Sequence, residues 1–263
     1  MAKRKISGMR TVITGASSGI GRALALELAR GSARCVLVAR RGEKLEAVAA
    51  EILAESAEAE VEIVAGDVTD PLVRKAAIEK CVIAFGGLDA IINNAGIGSF
   101  GRFVDSDPQR FRQIMEVNFF AAVEMIREAL PALQAGTSPI VVNIGSILGH
   151  RGIPRMYEYC SSKFALQGLS QSLRIELRSL GIDLLMVSPG TTETEFYDRV
   201  VHGRGEVPWN KGPGVPSATV ARRTVRAIEK GKREIIPNIL GGLLVWANHR
   251  APGIVDRFLN RYA

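Results

Sequence analysis

The chain has 263 residues, of which 47% are hydrophobic and 23% charged, with a formal net charge of +7. These values exclude a disordered or fibrous chain and suit one α/β domain over residues 1–263. No apolar core follows the charges at the start, so we expect no secretory signal. Cys35, Cys81 and Cys160 lack metal or disulfide spacing, which predicts reduced thiols in a cytoplasmic protein without a metal site.

Apolar runs typical of buried strands alternate with longer runs of helical periodicity. This alternation predicts a doubly wound, Rossmann-like parallel sheet of about seven strands with helices on both faces. Apolar residues recur at helical spacing between 43 and 56, and Pro71 marks another helix start. Long helices are predicted at 109–133 and 156–180. The predicted strands are 11–14, 35–39, 61–65, 90–93, 140–144, 183–187 and 234–236.

The positive charge is concentrated at the end of the chain. Residues 199–263 hold 12 Lys and Arg against 4 Asp and Glu, whereas residues 1–198 hold 22 against 23. A basic patch can meet nucleic acid, an anionic membrane or an acidic carrier. Nucleic acid is disfavoured, because the region has few aromatic residues and no motif that reads a groove. A solvated basic face is the alternative.

The extension 239–263 combines apolar residues with arginines. Its apolar run 239–247 is far shorter than the roughly 20 residues that cross a bilayer. Apolar positions then recur at helical spacing opposite Arg257 and Arg261, which suits peripheral contact with an anionic membrane. A core or subunit-facing helix pair is the alternative. Upstream, the Gly- and Pro-rich stretch 191–216 is predicted to be a substrate lid that orders on binding.

A glycine-rich turn joins the first predicted strand to a helical run. Gly15, Gly19 and Gly21 have the spacing Gly-x-x-x-Gly-x-Gly. Glycine lets the backbone approach a pyrophosphate, and the N–H groups at a helix start attract its charge. Because the usual dinucleotide fingerprint is Gly-x-Gly-x-x-Gly, an ordinary tight turn stays an alternative for this motif alone.

A second motif pairs a phenol with an ammonium group. Tyr159 and Lys163 are four positions apart and share one face of the predicted helix. Ser146 follows the buried strand 140–144, at the edge where open α/β sheets place their ligands. Tyr157 has the uncharged Ser161 four residues later, so Tyr159 is the tyrosine with a cationic partner.

These motifs, together with Asn93-Asn94-Ala95-Gly96 and Asn118, resemble the short-chain dehydrogenase/reductase family in its single-domain form. The resemblance is close over residues 9 to about 200 and looser beyond. It implies an oxidoreductase that interconverts a carbonyl and an alcohol by hydride transfer with a nicotinamide cofactor. It also implies a homodimer or homotetramer formed through the helices 109–133 and 156–180.

The resemblance implies roles for the catalytic set. Tyr159 is the acid/base, and because a phenol has a reference pKa of about 10, Lys163 supplies the positive charge that it needs near neutral pH. Ser146 bonds the substrate oxygen and the forming alkoxide. Asn118 holds a helix kink and a water that relays protons to the lysine. A non-catalytic dinucleotide-binding protein is the alternative, which would not need all of Ser146, Tyr159 and Lys163.

The resemblance also implies which residues bind the cofactor. Asp67 accepts from the adenine amino group, although an N-cap of the next helix is an alternative. Thr194 is at the hydroxyl position that holds the carboxamide, and Thr192 is its substitute, while Asn93 has a mainly structural role. The remaining members of the set are Gly15, Ser17, Ser18, Gly19, Ile20, Gly21, Val68, Asn94, Ala95, Gly96, Tyr159, Lys163, Pro189 and Gly190.

The residues after the second strand indicate NADP(H). Dinucleotide folds selective for NAD carry an acid there that bonds the ribose 2′-hydroxyl. This chain has Ala39-Arg40-Arg41 instead, and guanidinium groups bind a 2′-phosphate. Arg40 is the first candidate and Arg41 the second. A solvated helix start is the alternative.

The residues expected around the substrate are mostly apolar. They favour a lipid-like ketone, aldehyde or secondary alcohol. A 3-oxoacyl chain on an acyl carrier protein is the second candidate, because the basic surplus could dock an acidic carrier. The expected lining is Phe100, Phe103, Ile147, Leu148, Met156, Phe196 and Trp209, with His150, Arg151 and Arg155 nearby.

Overall fold

The computed structural model describes residues 1–196 and 214–262, and a parallel sheet of seven strands forms its centre. The sheet contains every predicted strand, with ends that differ by a residue at most. In chain order the strands are β1 (Arg10–Thr14), β2 (Arg34–Ala39), β3 (Val61–Ala65), β4 (Ala90–Asn93), β5 (Ile140–Ile144), β6 (Asp183–Val187), β7 (Thr192–Glu193), β8 (Val215–Pro216) and β9 (Glu234–Ile235).

The strand order across the large sheet is β3-β2-β1-β4-β5-β6-β9. The chain runs outward from β1 to β3 and then returns to place β4 on the other side of β1. This reversal is a topological switch point, and ligands of open α/β sheets bind outside the carboxyl ends of the strands at such a point. The short strands β7 and β8 pair in a second sheet, which the sequence analysis did not predict.

Helices cover both faces of the large sheet, as the alternating pattern predicts. Successive strand residues enter opposite layers: Ile13 packs in the layer of the first, second and seventh helices, and Val12 in that of the third, fifth and sixth. The helices are α1 (Gly19–Arg30), α2 (Gly42–Glu55), α3 (Pro71–Phe85), α4 (Pro108–Met115), α5 (Ala121–Gln134), α6 (Tyr157–Ser179), α7 (Ser217–Glu229), α8 (Ile239–Arg250) and α9 (Pro252–Leu259).

The predicted helix 109–133 differs from the structure in one respect. Its two parts, α4 and α5, are joined by a π-helical turn at Glu116–Phe120. The buried Asn118 lies in this turn, where its side chain bonds backbone outside the helix. Periodicity alone does not distinguish an α-helix from one with a single π turn, because the turn adds only one residue to the repeat.

The helices α8 and α9 bury one side and expose the other. Gly241, Val245, Val255 and Leu259 are buried. The large side chains on the other side are exposed. No helix in the ranges described above is long and apolar enough to cross a bilayer. The exposed set is Ile239, Leu240, Leu243, Trp246, Ile254 and Phe258.

Candidate active site

A cavity of about 560 Å³ opens at the carboxyl ends of the central strands. It lies where the reversal of strand order places a ligand crevice. All but two of the predicted site residues line it. The exceptions are Gly21 and Asn118, which lie directly behind its wall. The predicted residues in the lining are Gly15, Ser17, Ser18, Gly19, Ile20, Arg40, Arg41, Asp67, Val68, Asn94, Ala95, Gly96, Ser146, Tyr159, Lys163, Pro189, Gly190, Thr192 and Thr194.

The glycine-rich turn forms a cradle that only glycines fit. Gly15 has φ +67°, and a Cβ there would lie 2.8 Å from Asn94 Nδ2. A Cβ on Gly21 would collide with the Gly15 carbonyl oxygen. Ser18 precedes α1 without a side-chain capping bond, and Gly19 and Ile20 at the helix start line the cavity. The cradle therefore fits a pyrophosphate.

Asn94 fixes the turn to the end of β4. Its Nδ2 donates to the carbonyl oxygens of Thr14 and Gly15 at 3.0 and 3.2 Å. In return, Thr14 Oγ1 accepts from the N–H groups of Asn94 and Ala95 at 3.0 and 3.1 Å. Asn94 and Ala95 thus line the cavity and also hold the phosphate cradle in shape.

Asn93 points away from the cavity into the sheet. Its Nδ2 donates to Asn143 Oδ1 at 2.9 Å, and Asn143 Nδ2 donates to Ser170 Oγ at 2.9 Å. All three residues are buried. The chain of bonds joins β4, β5 and α6, which agrees with a mainly structural role for Asn93.

Arg41, and not Arg40, is held against the glycine-rich turn. Arg41 Nη2 donates to Ser17 Oγ at 2.9 Å and to Ser18 Oγ at 3.1 Å. Burial and the neighbouring charge of Arg40 lower the pKa of Arg41. Arg40 lines the cavity but is exposed. Both arginines therefore line the cavity, and Arg41 is the one fixed to the glycine-rich turn.

The alternative that Asp67 caps the next helix is wrong. Asp70 caps α3 by accepting from the Leu72 N–H at 2.8 Å. Asp67 Oδ1 instead accepts from the N–H and the hydroxyl of Thr69 at 3.0 and 2.9 Å. These bonds hold its carboxylate beside the cavity. The buried Arg74 supports the same loop by donating to the Val68 carbonyl oxygen at 2.9 Å.

Tyr159 and Lys163 lie one turn apart on the buried face of α6. Lys163 Nζ is 5.6 Å from the centre of the Tyr159 ring and donates to the Ile144 carbonyl oxygen at 3.0 Å. Burial lowers the pKa of Lys163 to about 8. The Tyr157 hydroxyl donates to Glu158 at 2.9 Å, and Tyr157 does not line the cavity.

Ser146 begins the short turn that follows β5. Its Oγ accepts from the Leu148 N–H at 3.1 Å, which leaves the hydroxyl proton able to donate to a ligand. The Pro189 carbonyl oxygen accepts from the Ile147 N–H at 2.9 Å. The loop after β6 is therefore attached to the same turn.

Asn118 supports the wall beside Lys163. Its Oδ1 accepts from the Ile97 N–H at 2.8 Å, while Nδ2 donates to the Ile97 carbonyl oxygen at 2.9 Å and to Ser162 Oγ at 3.0 Å. A Cβ on Gly96 would lie 3.3 Å from Asn118 Oδ1 and 3.7 Å from Lys163 Nζ. The π turn thus brings Asn118, Gly96 and Lys163 together.

Hydrogen bonds hold the predicted carboxamide loop near its start at Gly190 and near its end at Thr194. The Gly190 N–H donates to Asn238 Oδ1 at 2.9 Å. Thr192 Oγ1 donates to the Gly190 carbonyl oxygen at 2.9 Å, whereas Thr194 Oγ1 accepts from the Phe196 N–H at 3.3 Å. The Thr194 hydroxyl proton stays able to donate into the cavity, whereas that of Thr192 is already bonded. This difference favours Thr194 over Thr192 as the residue that would hold the carboxamide.

Only some of the residues predicted around the substrate line the cavity. Ile147, Leu148, Met156 and Phe196 line the cavity, but Phe103 is 71% exposed. Phe100 is buried behind the wall with Met156 and Tyr159. Trp209 and most of the predicted lid lie outside the described residues. The polar residues expected near the substrate, His150, Arg151 and Arg155, do not line the cavity.

Several supporting residues were missed because their partners are distant in sequence. Asn238 and Arg74 hold the loops that carry Gly190 and Val68. Leu244 and Phe258 bring α8 and α9 to the cavity wall. Glu195, which pairs with Lys44 and Arg41, has a weak signal, since it directly follows the predicted carboxamide loop.

Comparisons with known proteins agree with this geometry. The sequence pattern of the short chain dehydrogenase family matches residues 10–204. Dehydrogenase/reductase SDR family member 7B of Bos taurus is 32% identical, over 94% of this chain and 79% of that protein. 11-beta-hydroxysteroid dehydrogenase A of Sesamum indicum is 33% identical, over 95% of this chain and 74% of that protein.

Two solved structures are also similar. A short chain dehydrogenase/reductase from Burkholderia phymatum in complex with NAD has a TM-score of 0.85 at 24% identity, covering 95% of this chain and 96% of that one. An alcohol dehydrogenase from Thermococcus sibiricus complexed with 5-hydroxy-NADP has a TM-score of 0.76 at 28% identity, covering 86% and 94%. This chain belongs to the short-chain dehydrogenase/reductase family of oxidoreductases.

Proposed function

We propose that the protein is an NADP(H)-dependent oxidoreductase that interconverts a carbonyl and an alcohol on an apolar, lipid-like substrate. One observation carries this proposal: Ser146, Tyr159 and Lys163 line the same cavity as the glycine-rich turn. A protein that only senses or stores the dinucleotide needs the turn but has no use for the other three groups.

The side chains supply the proton and hold the reacting oxygen. When bound, the nicotinamide donates or accepts the hydride. The Tyr159 hydroxyl gives its proton to the substrate oxygen during reduction and takes it back during oxidation. The Ser146 hydroxyl donates a hydrogen bond to the same oxygen. Lys163, protonated below a pKa of about 8, stabilises the phenolate that forms.

Asn118 acts as a positioning residue in this proposal. Its amide satisfies both backbone groups of Ile97 and contacts Ser162, one residue before Lys163. Those bonds keep the π turn beside the ammonium group. The proposed water that relays protons to Lys163 would be held at this same turn.

The preference for NADP(H) rests on charge at the end of β2. Arg41 and Arg40 line the cavity there, and Ala39 is in the place of the acid that favours NAD. The Thermococcus sibiricus enzyme carries an NADP derivative, while the Burkholderia phymatum protein carries NAD. The family therefore accommodates both cofactors, and the local charge is the argument for this chain.

The apolar substrate is supported by the wall opposite the cofactor residues. Leu148, Met156 and Phe196 face the same space as Leu244 and Phe258 of the C-terminal helices. Two relatives named 11-beta-hydroxysteroid dehydrogenase add support for a lipid-like alcohol or ketone. A 3-oxoacyl chain on an acyl carrier protein remains the second candidate, because the C-terminal quarter is basic.

A reductase screen tests this function. Purified protein should oxidise NADPH in the presence of ketones, with rates that rise with apolar chain length and exceed those with NADH by about tenfold, the effect of one charge-assisted contact. The Ala39→Asp/Arg41→Ala variant should reverse the preference. Turnover that requires an acyl carrier would favour the second candidate, and equal use of NADH would contradict the NADP(H) proposal.

We also propose one catalytic domain that assembles as a homodimer or homotetramer. Phe120, Phe164 and Ile175 lie on the π turn and α6 with 45%, 45% and 78% of their surface exposed. A second copy packed against these helices would bury them. Buried, unpaired cysteines suit a reducing, cytoplasmic location.

Peripheral contact with an anionic membrane belongs to the same proposal. The exposed apolar side of α8 and α9 lies beside basic residues: Arg250 is over the Trp246 ring at 5.8 Å, and Arg261 over the Phe258 ring at 3.6 Å. Apolar rings with adjacent guanidinium groups complement a lipid surface of negative charge.

A further inference from the structure

Arg41 has an acidic partner from another loop of the cavity wall. Arg41 begins α2, directly after β2, and Glu195 follows β7 on the loop that leaves β6. Arg41 Nη1 lies 3.5 Å from Glu195 Oε2. Lys44, one turn into α2, donates to both carboxylate oxygens at 3.1 and 3.3 Å. Arg41, which precedes α2, and Lys44 in its first turn therefore share one carboxylate from the loop after β7.

In the proposed binding mode, the same guanidinium group would meet the ribose 2′-substituent. Arg41 is bonded to Ser17 and Ser18 of the cofactor turn, so it cannot follow Glu195 away from the cavity without breaking those bonds. Glu195 also lines the cavity. A 2′-phosphate would meet the Arg41 cation and the Glu195 carboxylate together. Two negative groups that contact the same cation repel each other, so the phosphate and the carboxylate would compete for Arg41.

We infer that Glu195 is a specificity-determining residue, whose carboxylate occupies the 2′-phosphate site and reduces the preference for NADP(H) over NAD(H). The side chains of Arg41, Lys44 and Glu195 keep 34%, 46% and 43% of their surface exposed. Ion pairs this exposed are weak and exchange readily. A phosphate dianion can therefore displace the carboxylate, whereas a 2′-hydroxyl leaves it in place and can donate to it.

This inference rests on the proposed place of the cofactor, and its chemistry differs from the usual arrangement. Folds selective for NAD carry their acid after the second strand. Here that position is Ala39, and the carboxylate arrives from the loop after β7 instead. Cofactor selectivity in this chain would then be set by opposing charges on two loops.

The test is equilibrium binding, which needs no substrate. Dissociation constants of NADPH, NADH, adenosine 2′,5′-bisphosphate and ADP should be measured by calorimetry for the wild type, Glu195→Gln and Glu193→Gln. Glu195→Gln should tighten both 2′-phosphorylated ligands about three- to fivefold, the range of an exposed ion pair. It should leave ADP within about twofold and NADH unchanged or weaker. Glu193→Gln removes the same charge two residues away and should change little.

A double-mutant cycle makes the result decisive. In an Arg41→Ala background, Glu195→Gln should tighten adenosine 2′,5′-bisphosphate less than it does in the wild type, because Arg41 is no longer shared and only the contact with Lys44 and the direct repulsion remain. Equal tightening of NADPH and NADH, or no change in either, would overturn the inference. A wild type that binds NADH as tightly as NADPH, with Glu195→Gln still favouring NADPH, would overturn the NADP(H) preference and leave the role of Glu195 standing.

Discussion

Lys163 is buried among residues of the active site, with only 4% of its surface exposed. Burial lowers its pKa from the usual 10.5 to about 8. The bond to the Ile144 carbonyl oxygen satisfies one of its three protons. At neutral pH the group is therefore a cation in a place that disfavours charge, and the protein keeps it there at a cost in stability.

This cost predicts a pH dependence of folding. The unfolded chain binds a proton at Lys163 up to about pH 10.5, and the folded chain only up to about pH 8. Between these values the unfolded state holds more protons, so stability rises with pH. Relative to Lys163→Met, the free energy of unfolding of the wild type should rise by about 3 kcal/mol across this window.

Chemical unfolding at pH 7 to 10.5 measures the effect. The matched control is Lys75→Met, because the Lys75 side chain is 70% exposed. The difference between wild type and Lys75→Met should stay flat with pH. If the difference in unfolding free energy between wild type and Lys163→Met also stayed flat with pH, the ammonium group would not be desolvated in the folded protein.

Residues whose role follows from backbone geometry could be predicted from the sequence. Gly15 and Gly21 are required by close contacts within one turn, and Tyr159 and Lys163 by helical spacing. The different contacts of Arg40 and Arg41 could not be predicted. They depend on which side chain points inward as the chain leaves β2, and alternation fails where a strand ends.

At the scale of elements, the strands were easier to predict than the interruptions. Strands buried on both faces form continuous apolar runs. The π turn at Glu116–Phe120 has no such periodic signal; the family resemblance implies only a helix kink at Asn118, whose side chain bonds Ile97, 21 residues earlier in the chain. The pairing of β7 with β8 joins segments on either side of residues 197–213, and two-residue strands carry no periodicity.

The helices α8 and α9 predict salt-sensitive binding to anionic membranes. Each basic residue near such a surface contributes about 1 kcal/mol, and salt screens the attraction. Co-sedimentation with phosphatidylserine-containing vesicles should show binding at low salt that fades at high salt. Neutral vesicles should bind far less.

One double replacement and one single replacement distinguish this surface from exposed apolar residues elsewhere in the molecule. Leu243→Gln/Trp246→Gln alters side chains that are 56% and 58% exposed and should abolish binding. Ile83→Gln alters an apolar residue of α3 that is 83% exposed and should leave binding intact. Failure of the folded wild type to bind anionic vesicles would assign the exposed side of α8 and α9 to a subunit interface instead.

At the scale of the whole molecule, the reversal of strand order and the site residues that follow the central strands lie at the same edge of the sheet, the carboxyl ends of the strands. The parallel arrangement follows from alternation of strands and helices, but the order β3-β2-β1-β4-β5-β6-β9 is not contained in spacing. The sequence predicts a doubly wound sheet of about seven strands but not this order. Given that order, Gly15, Ser146 and Gly190 all follow central strands and must lie near one another, so the cavity was predictable although its supporting bonds were not.

The central claim is that Tyr159 transfers the proton in a carbonyl reduction, and Tyr159→Phe tests it most directly. The phenyl ring keeps the packing against Phe196, whose ring centre lies 5.3 Å away, and removes only the hydroxyl. NADPH-dependent ketone reduction should fall at least about 100-fold, while the dissociation constant of NADPH changes less than about threefold. Tyr157→Phe, which removes a hydroxyl bonded to Glu158, should keep most activity. Retention of most activity by Tyr159→Phe, in protein that binds NADPH normally, would contradict the account.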